Sequence, residues 1–188
     1  MEHFYQNLTG ENWFTYPNLY KEMVDTCDKI STSHFVEVGS WKGRSASFMG
    51  VEIINSNKKI KFDCVDCWIH DEIYNEFIDN IKPIKDIINV YKEYSINASK
   101  YYSDNSLDFV FIDAFHSYES VVEDIMHWYP KVKENGIIAG HDFWENTDEQ
   151  FTSEVVNAVI KAFKDDFIST KEGCWIHTKK KNTIKPLL

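Results

Sequence analysis

The chain has 188 residues, of which 43% are hydrophobic and 15% aromatic, and its formal net charge is −10. This length and composition predict one folded domain with a substantial core, and they exclude a fibrous or disordered protein. The acidic balance argues against a nucleic-acid partner, because a negative surface repels phosphate backbones.

The sequence gives no sign of a membrane partner. Its apolar runs are shorter than the roughly 20 residues that cross a bilayer. The first residues, Met1 to Tyr5, lack the positive and apolar segments of a signal peptide. We therefore expect a cytoplasmic protein. The oligomeric state stays open, and the aromatic residues near the N-terminus are compatible with a homodimer.

The first part of the chain predicts a strand, a glycine-containing turn and a helix. Residues 1–34 are interpreted as an aromatic arm, expected to cover a pocket, and a helix over 18–30. A strand at Phe35–Val38 then leads through the turn at 39–43 into a helix at 45–55. Such a turn brings backbone N–H groups close to a ligand at a helix N-terminus. The dinucleotide fingerprint Gly-x-Gly-x-x-Gly is absent.

A second strand at 61–67 ends at Asp66, about twenty residues after the turn. This is the spacing at which an acid following the second strand binds a ribose diol. The alternative is a strand-end acid that caps the next segment. A mixed helical stretch (68–85), a third strand (87–91), Ser95 and a short helix (98–102) follow. This half predicts a nucleoside-containing cofactor, either a dinucleotide or S-adenosylmethionine.

Cys64 and Cys67 form a Cys-x-x-Cys pair at the end of this second strand. Their spacing tends to send the two side chains to opposite faces, and no second pair completes a zinc site. We predict buried free thiols.

The second half continues the alternation of strands and helices. It predicts strands at 107–112 and 137–139, helices through 121–128 and 149–164, and a terminal hairpin at 167–178. Alternation of this kind predicts a parallel sheet with helices on both faces. Ligands bind at the carboxyl ends of such strands, so the polar residues there are expected to form one site.

Four of these strand-end residues carry reactive groups. Asp113, His141 and Asp142 offer two carboxylates and an imidazole, a set that suits Mg²⁺, Mn²⁺ or Ca²⁺, while the imidazole also permits Fe²⁺ or Zn²⁺. With an ordinary pKa near 6.5, His116 is a candidate general base. The alternatives are acids that interact with a helix dipole and histidines with a structural role.

Several segments resemble, in order and spacing, class I S-adenosylmethionine-dependent methyltransferases. The resemblance is greatest to a small group with the motifs Phe-Ile-Asp-Ala-x-His-x-Tyr and Gly-Gly-x-x-x-Gly-His-Asp. Residues 111–118 read FIDAFHSY and residues 135–142 read NGIIAGHD, with Asn135 in place of the first glycine. The other matching segments are 35–45 and 65–68, and the resemblance covers about 35–178.

The resemblance implies an α/β fold of Rossmann-like type. Its doubly wound, seven-stranded sheet is mostly parallel with an antiparallel C-terminal hairpin strand, and helices cover both faces. One methyltransferase domain would span 1–188, with the core at 35–178 and a tail at 179–188.

The resemblance also implies roles for individual residues. Glu37 would contact the cofactor's amino group, the turn from Gly39 to Gly43 would make room for its methionine part, Asp66 would bind the ribose and Ser95 would lie near the adenine. The complete set of candidate cofactor-binding residues is Glu37, Gly39, Ser40, Gly43, Ser45, Asp66, Trp68, Ser95 and Asp113.

Among the similar families, catechol- and caffeoyl-CoA-type O-methyltransferases hold Mg²⁺ with an Asp at the position of Asp113 and an Asp-Asn pair aligned with His141-Asp142. Their lysine base falls at the position of His116. Because both positions differ here, the metal site and the base are hypotheses.

The predicted function is metal-assisted O-methylation of a small hydroxylated molecule such as a sugar or a phenol. A strongly anionic acceptor such as a coenzyme A ester is disfavoured, because the one basic cluster lies in the tail. The alternatives are a metal-free N- or O-methyltransferase, a nicotinamide-dependent oxidoreductase and a non-enzymatic cofactor-binding domain. Aromatic residues are candidates for the pocket wall, and these are Trp13, Phe14, Tyr16, Trp68 and Trp144. Acceptor choice is expected to depend on the arm and on residues 68–85 and 143–150.

Overall fold

A seven-stranded sheet forms the centre of the molecule in a computed structural model that describes residues 1–144 and 150–181. Its strands are β1 (Ser33–Val38), β2 (Ile60–Asp66), β3 (Ile88–Lys92), β4 (Leu107–Ile112), β5 (Val132–Gly140), β6 (Ile168–Ser169) and β7 (Trp175–Thr178). The strand order is β3-β2-β1-β4-β5-β7-β6. Strands β1 to β5 pair in parallel, whereas β7 is antiparallel to both of its neighbours. The predicted sheet is confirmed.

Helices cover both faces of this sheet. They are α1 (Pro17–Thr26), α2 (Arg44–Ser56), α3 (Asp71–Asn80), α4 (Ser95–Ser99), α5 (Tyr118–Trp128) and α6 (Gln150–Phe163), with short 3₁₀ helices at Tyr5–Asn7, Lys82–Ile87 and Tyr129–Lys131. Side chains alternate along each strand. Phe35 and Phe109 therefore pack with α1 and α2, while Val36 and Val110 pack with α5 and α6.

Several predicted boundaries were wrong. Helix α1 ends at Thr26, because Cys27 is already extended. Helix α4 begins at Ser95 instead of residue 98. Strand β5 begins at Val132, so Asn135 and the glycine after it form an irregularity inside the strand instead of a turn before it. There the pairing with β4 shifts register, as in a β-bulge.

The N-terminal arm, residues 1–16, lies against α2. The guanidinium of Arg44, at the first position of α2, donates hydrogen bonds to the carbonyl oxygens of Tyr5 (2.5 Å) and Leu8 (2.6 Å). These bonds are made to the 3₁₀ helix of the arm and to the residue that follows it. The arm is thereby attached to the helix that follows the glycine turn.

Two further predictions concern thiols and membranes. The four cysteines are free, as expected, but Cys27 and Cys67 are only half-buried. Within the described ranges, the helices are all too short or too polar to cross a bilayer. Residues 145–149 and 182–188, which include part of the predicted acceptor loop and most of the predicted tail, lie outside the described residues.

His177 on β7 is a buried histidine away from the strand ends. Its ring stacks on Phe163 at a centroid distance of 4.2 Å, and its Nδ1–H donates to the carbonyl oxygen of Asp166. Its Nε2 has no hydrogen-bond partner among the residues that the structure describes. Burial lowers the pKa of His177, so the folded protein keeps the ring neutral.

We expect His177→Phe to reduce the loss of stability in mild acid. Below a pH of about 6.5 the unfolded wild-type chain binds a proton at this residue that the folded chain resists, so wild-type stability falls as the pH falls. The stability difference between the two proteins should shift towards the variant, by at most about 1.4 kcal/mol per pH unit. Urea unfolding at pH 7.5 and 5.5 measures this shift. A constant difference would show that the folded state binds the proton equally well.

Candidate active site

A cavity of about 990 Å³ opens at the carboxyl ends of the parallel strands. Its wall contains Gly39 and Ser40 after β1, Asp66 and Trp68 after β2, Ser95 after β3, Asp113 and His116 after β4, and His141 and Asp142 after β5. Residues 8–9 and 11–16 of the arm form another part of the wall. The topology therefore brings most of the predicted residues to one site, at the edge where parallel sheets bind ligands.

Glu37 does not reach this cavity. It is 1% exposed, and its carboxylate accepts hydrogen bonds from the hydroxyls of Tyr20 (2.8 Å) and Ser40 (2.7 Å). Burial raises the pKa of Glu37 to about 7, although bonds from Ser45, Ser40 and Tyr20 oppose the shift. This geometry does not support the predicted contact with a cofactor amino group. Glu37 instead accepts a hydrogen bond from Ser40, which lines the cavity.

The two glycines of the turn are required by the packing of the protein itself. At Gly39 (φ +92°) an added Cβ would lie 1.9 Å from the carbonyl oxygen of Asp113. At Gly43 (φ +80°) it would lie 2.9 Å from the ring of Phe77 on α3. Gly43 is not part of the cavity wall. The turn thus depends on glycine because the backbone of Asp113 and the ring of Phe77 pack against it, and not only because a ligand needs room.

Asp66 joins the two loops that follow β1 and β2. Its carboxylate accepts hydrogen bonds from the backbone N–H groups of Trp41 (2.8 Å) and Trp68 (2.9 Å). The indole N–H of Trp68 in turn donates to the carbonyl oxygen of Trp41 at 2.7 Å. The carboxylate is half-buried on the cavity wall, and each oxygen keeps a lone pair for a further donor such as a hydroxyl.

Ser95 is committed to neighbours inside the protein. Its hydroxyl donates to Asp124 and accepts a 2.8 Å hydrogen bond from the indole N–H of Trp128. Asp124 also lines the cavity, although it was not among the predicted site residues. Burial raises the pKa of Asp124 to about 6. A signal was present, because Asp124 occupies the same helical face of α5 as Val121, Ile125 and Trp128.

Asp113, His141 and Asp142 form a group that could hold a metal ion. One ligand atom from each lies within 4.8 Å of the others. The Nδ1 atom of His141 is 3.4 Å from a carboxylate oxygen of Asp142 and 3.9 Å from one of Asp113. The second distance is too long for a hydrogen bond and the first is at its limit. Two carboxylates and an imidazole around a common point fit a divalent cation.

The arm contacts two members of this group, and no sequence pattern predicts these contacts. The hydroxyl of Tyr16 donates to Asp113 at 2.9 Å, and the hydroxyl oxygen of Thr15 lies 2.9 Å from Nε2 of His141. Tyr16 is 2% exposed and its ring packs against that of His141 at 4.8 Å. The arm is thus part of the structure that surrounds the metal-ligand group.

His116 lies beside the same carboxylates. Its Nε2 is 2.8 Å from Asp142 and 3.5 Å from Asp113. The neighbouring carboxylates of Asp113 and Asp142 raise the pKa of His116 to about 10 and outweigh burial, which lowers it. The ordinary pKa near 6.5 that was assumed for His116 therefore does not hold. Its ring is protonated at neutral pH as long as no other cation offsets the two carboxylates. Burial would raise the pKa of Asp142, but the neighbouring imidazoles of His116 and His141 lower that pKa.

Much of the remaining wall is aromatic, and the lysine and the arginine among its described residues both have partners. The ammonium of Lys42 pairs with Glu76 (3.2 Å) and Glu11 (3.3 Å), and Arg44 is bound to the arm. The five aromatic residues predicted for the wall are all part of it, and they are Trp13, Phe14, Tyr16, Trp68 and Trp144. Trp41 is exposed and stacks on Trp13 at a centroid distance of 6.0 Å.

Known proteins share this architecture or part of this sequence. A relative from Acanthamoeba polyphaga mimivirus is 25% identical over 175 residues, which cover 85% of this chain and 72% of the relative. A solved structure from Corynebacterium glutamicum has a TM-score of 0.67 at 12% identity, covering 95% of this chain and 86% of its own. A SAM-dependent O-methyltransferase from Thermotoga maritima has a TM-score of 0.65 at 12% identity, covering 97% and 72%.

These solved structures share the fold, and the family follows from the sequence. The family model described as a methyltransferase domain matches residues 36–143, which is more than half of the chain and includes the strand ends from β1 to β5. The chain therefore belongs to this methyltransferase family and is a class I S-adenosylmethionine-dependent methyltransferase.

Proposed function

We propose that the protein methylates a hydroxyl oxygen of a small, uncharged, hydroxylated molecule such as a sugar or a phenol. In this proposal a divalent metal assists and His116 accepts the proton. The observation that carries it is the grouping of His116 with Asp113, His141 and Asp142 on the wall of the same cavity as the glycine turn and Asp66.

The cavity fits a cofactor and an acceptor together. Its volume of about 990 Å³ is at the upper end of the range for small-molecule sites. S-adenosylmethionine supplies a methyl group on a sulfonium that is already activated for transfer. We assign its ribose to Asp66, its amino-acid part to the wall near Gly39 and Ser40, and its adenine to the end near Ser95 and Asp124.

The charge of the wall supports an uncharged acceptor. The lysine and the arginine in the described wall, Lys42 and Arg44, are already occupied by the protein's own acceptors, and His116 lies against Asp142. A phosphate or carboxylate group on the acceptor would therefore find no available cation beside the carboxylates of Asp113 and Asp142. The exposed indoles of Trp13, Trp41 and Trp144 offer flat apolar faces to a ring.

The proton balance defines the task of His116. As the bond from sulfur to the methyl carbon breaks and the bond from oxygen to that carbon forms, the acceptor hydroxyl must lose its proton. His116 lies on the cavity wall, and its imidazole is the nearest one to the carboxylates of Asp113 and Asp142. When this imidazole is neutral, its Nε2 can accept the proton. A bound divalent ion would supply Lewis-acid chemistry, and its charge would offset the carboxylates that raise the pKa of His116.

We expect turnover to require a divalent metal. Methyl transfer from S-adenosylmethionine to a panel of monosaccharides and phenols should stop in excess EDTA and return when Mn²⁺ or Mg²⁺ is added above the chelator concentration. Undiminished turnover in EDTA would favour the metal-free methyltransferase instead.

His116→Ala should lower kcat by about 100-fold or more, the usual contribution of a general base. Affinity for S-adenosylmethionine, measured by calorimetry, should stay unchanged because the assigned cofactor contacts lie elsewhere on the wall. His127→Ala on α5 is a matched control, because His127 is half-buried and is not part of the wall. Full activity of His116→Ala would remove this residue as the base.

Asp66→Ala should weaken binding of S-adenosylmethionine by about 10- to 100-fold, since hydrogen bonds to a charged group contribute about 1.5–3 kcal/mol. The control is Asp71→Ala, which removes an exposed carboxylate that pairs with Lys92 outside the cavity. Calorimetry compares the two variants with wild type. Equal affinity in all three proteins would contradict the ribose assignment.

A further inference from the structure

The hydroxyl of Thr15 connects the arm to His141 and to the turn between β6 and β7. Its oxygen is 2.9 Å from Nε2 of His141 and 3.0 Å from the carbonyl oxygen of Glu172. A carbonyl oxygen can only accept, so the single hydroxyl hydrogen of Thr15 points to Glu172. Thr15 must therefore accept a hydrogen bond from His141, and Nε2 of His141 carries a hydrogen.

This hydrogen bond determines which nitrogen of His141 can bind a metal. With the hydrogen on Nε2, the nitrogen available as a ligand is Nδ1, which faces Asp142 and Asp113 at 3.4 and 3.9 Å. The ring is 8% exposed, and it lies between the ring of Tyr16 at 4.8 Å and that of Trp144 at 6.2 Å. Burial between two rings restricts rotation that would turn Nδ1 away from the carboxylates.

We propose that Thr15 is a positioning residue that makes Nδ1 of His141 a metal ligand, an inference that rests on the metal in the proposed function. Histidine ligands are commonly oriented by a hydrogen bond at the second ring nitrogen, and losing that partner costs about 10- to 100-fold in metal affinity. An imidazole ligand also favours Mn²⁺ over Mg²⁺, which prefers oxygen ligands. Thr15 thereby contributes to the choice of metal from the outer edge of the site.

The start of α1 offers a matched control for a merely structural role of Thr15. The side-chain amide of Asn18, at the start of α1, donates to the carboxylate of the same Glu172. Asn18→Ala therefore removes a contact between the N-terminal segment and this turn without touching His141. Thr15→Val removes the hydroxyl at nearly constant size, and Thr15→Ser restores the hydroxyl.

The test measures binding of Mn²⁺ alone by electron paramagnetic resonance, with Mg²⁺ as its competitor. Thr15→Val should weaken Mn²⁺ binding by about 10-fold or more and Mg²⁺ binding by less. Electron spin echo modulation from an imidazole nitrogen should be present with wild type, Thr15→Ser and Asn18→Ala, and reduced with Thr15→Val. His141→Ala should abolish it. Calorimetry with S-adenosylmethionine checks that each variant is folded.

Different results would overturn different parts. Equal Mn²⁺ affinity and equal nitrogen modulation in Thr15→Val and wild type would overturn the role of Thr15 and leave the metal in place. Equal losses in Thr15→Val and Asn18→Ala would identify a structural tether and also overturn it. If His141→Ala kept full Mn²⁺ affinity, His141 would not be a ligand. If wild type bound neither ion at millimolar concentration, the metal would be removed from the proposed function together with this inference.

Discussion

The ends of three neighbouring strands are joined beyond the sheet, and the arrangement of the site depends on this junction. The N–H of Gly39 donates to the carbonyl oxygen of Val65, and the N–H of Asp113 donates to that of Val38, both at 2.8 Å. A side chain at residue 39 would overlap the backbone of Asp113. The loop assigned to the cofactor and the loop that carries a candidate metal ligand are therefore held at a fixed separation, which in-line methyl transfer requires.

Charge compensation is the second constraint at this edge of the sheet. Two carboxylates, Asp113 and Asp142, lie close together, and the imidazoles of His116 and His141 lie beside them. Such a group can be neutralised either by protons on the imidazoles or by a cation between the carboxylates. Either form of neutralisation is open to these four residues, and the hydroxyl of Tyr16 donates a hydrogen bond to Asp113.

The sequence predicted the sheet and the address of the site because both follow from short-range patterns. Strands buried on two faces read as apolar runs, and parallel topology sends their ends to one edge. The predicted cofactor contact of Glu37 overlooked the alternation of side chains along β1, which puts Glu37 on the buried face of this strand that it shares with Phe35. The contacts of Thr15 with His141 were not predictable, because they join residues 126 positions apart. The raised pKa of His116 likewise depends on distances that no spacing encodes.

The arm lies outside the segment that matches the family model, although it contacts the candidate metal ligands. The segment that matches the family model, residues 36–143, contains every candidate metal ligand and the glycine turn. It lacks the hydroxyls of Thr15 and Tyr16 and the carbonyl of Glu172, which surround those ligands. A fragment cut to the family boundaries would keep the candidate ligands and lose these three neighbouring groups. Under the proposed function, the smallest functional unit is thus larger than the segment that the family model matches, because it includes residues 15–16 and the turn between β6 and β7.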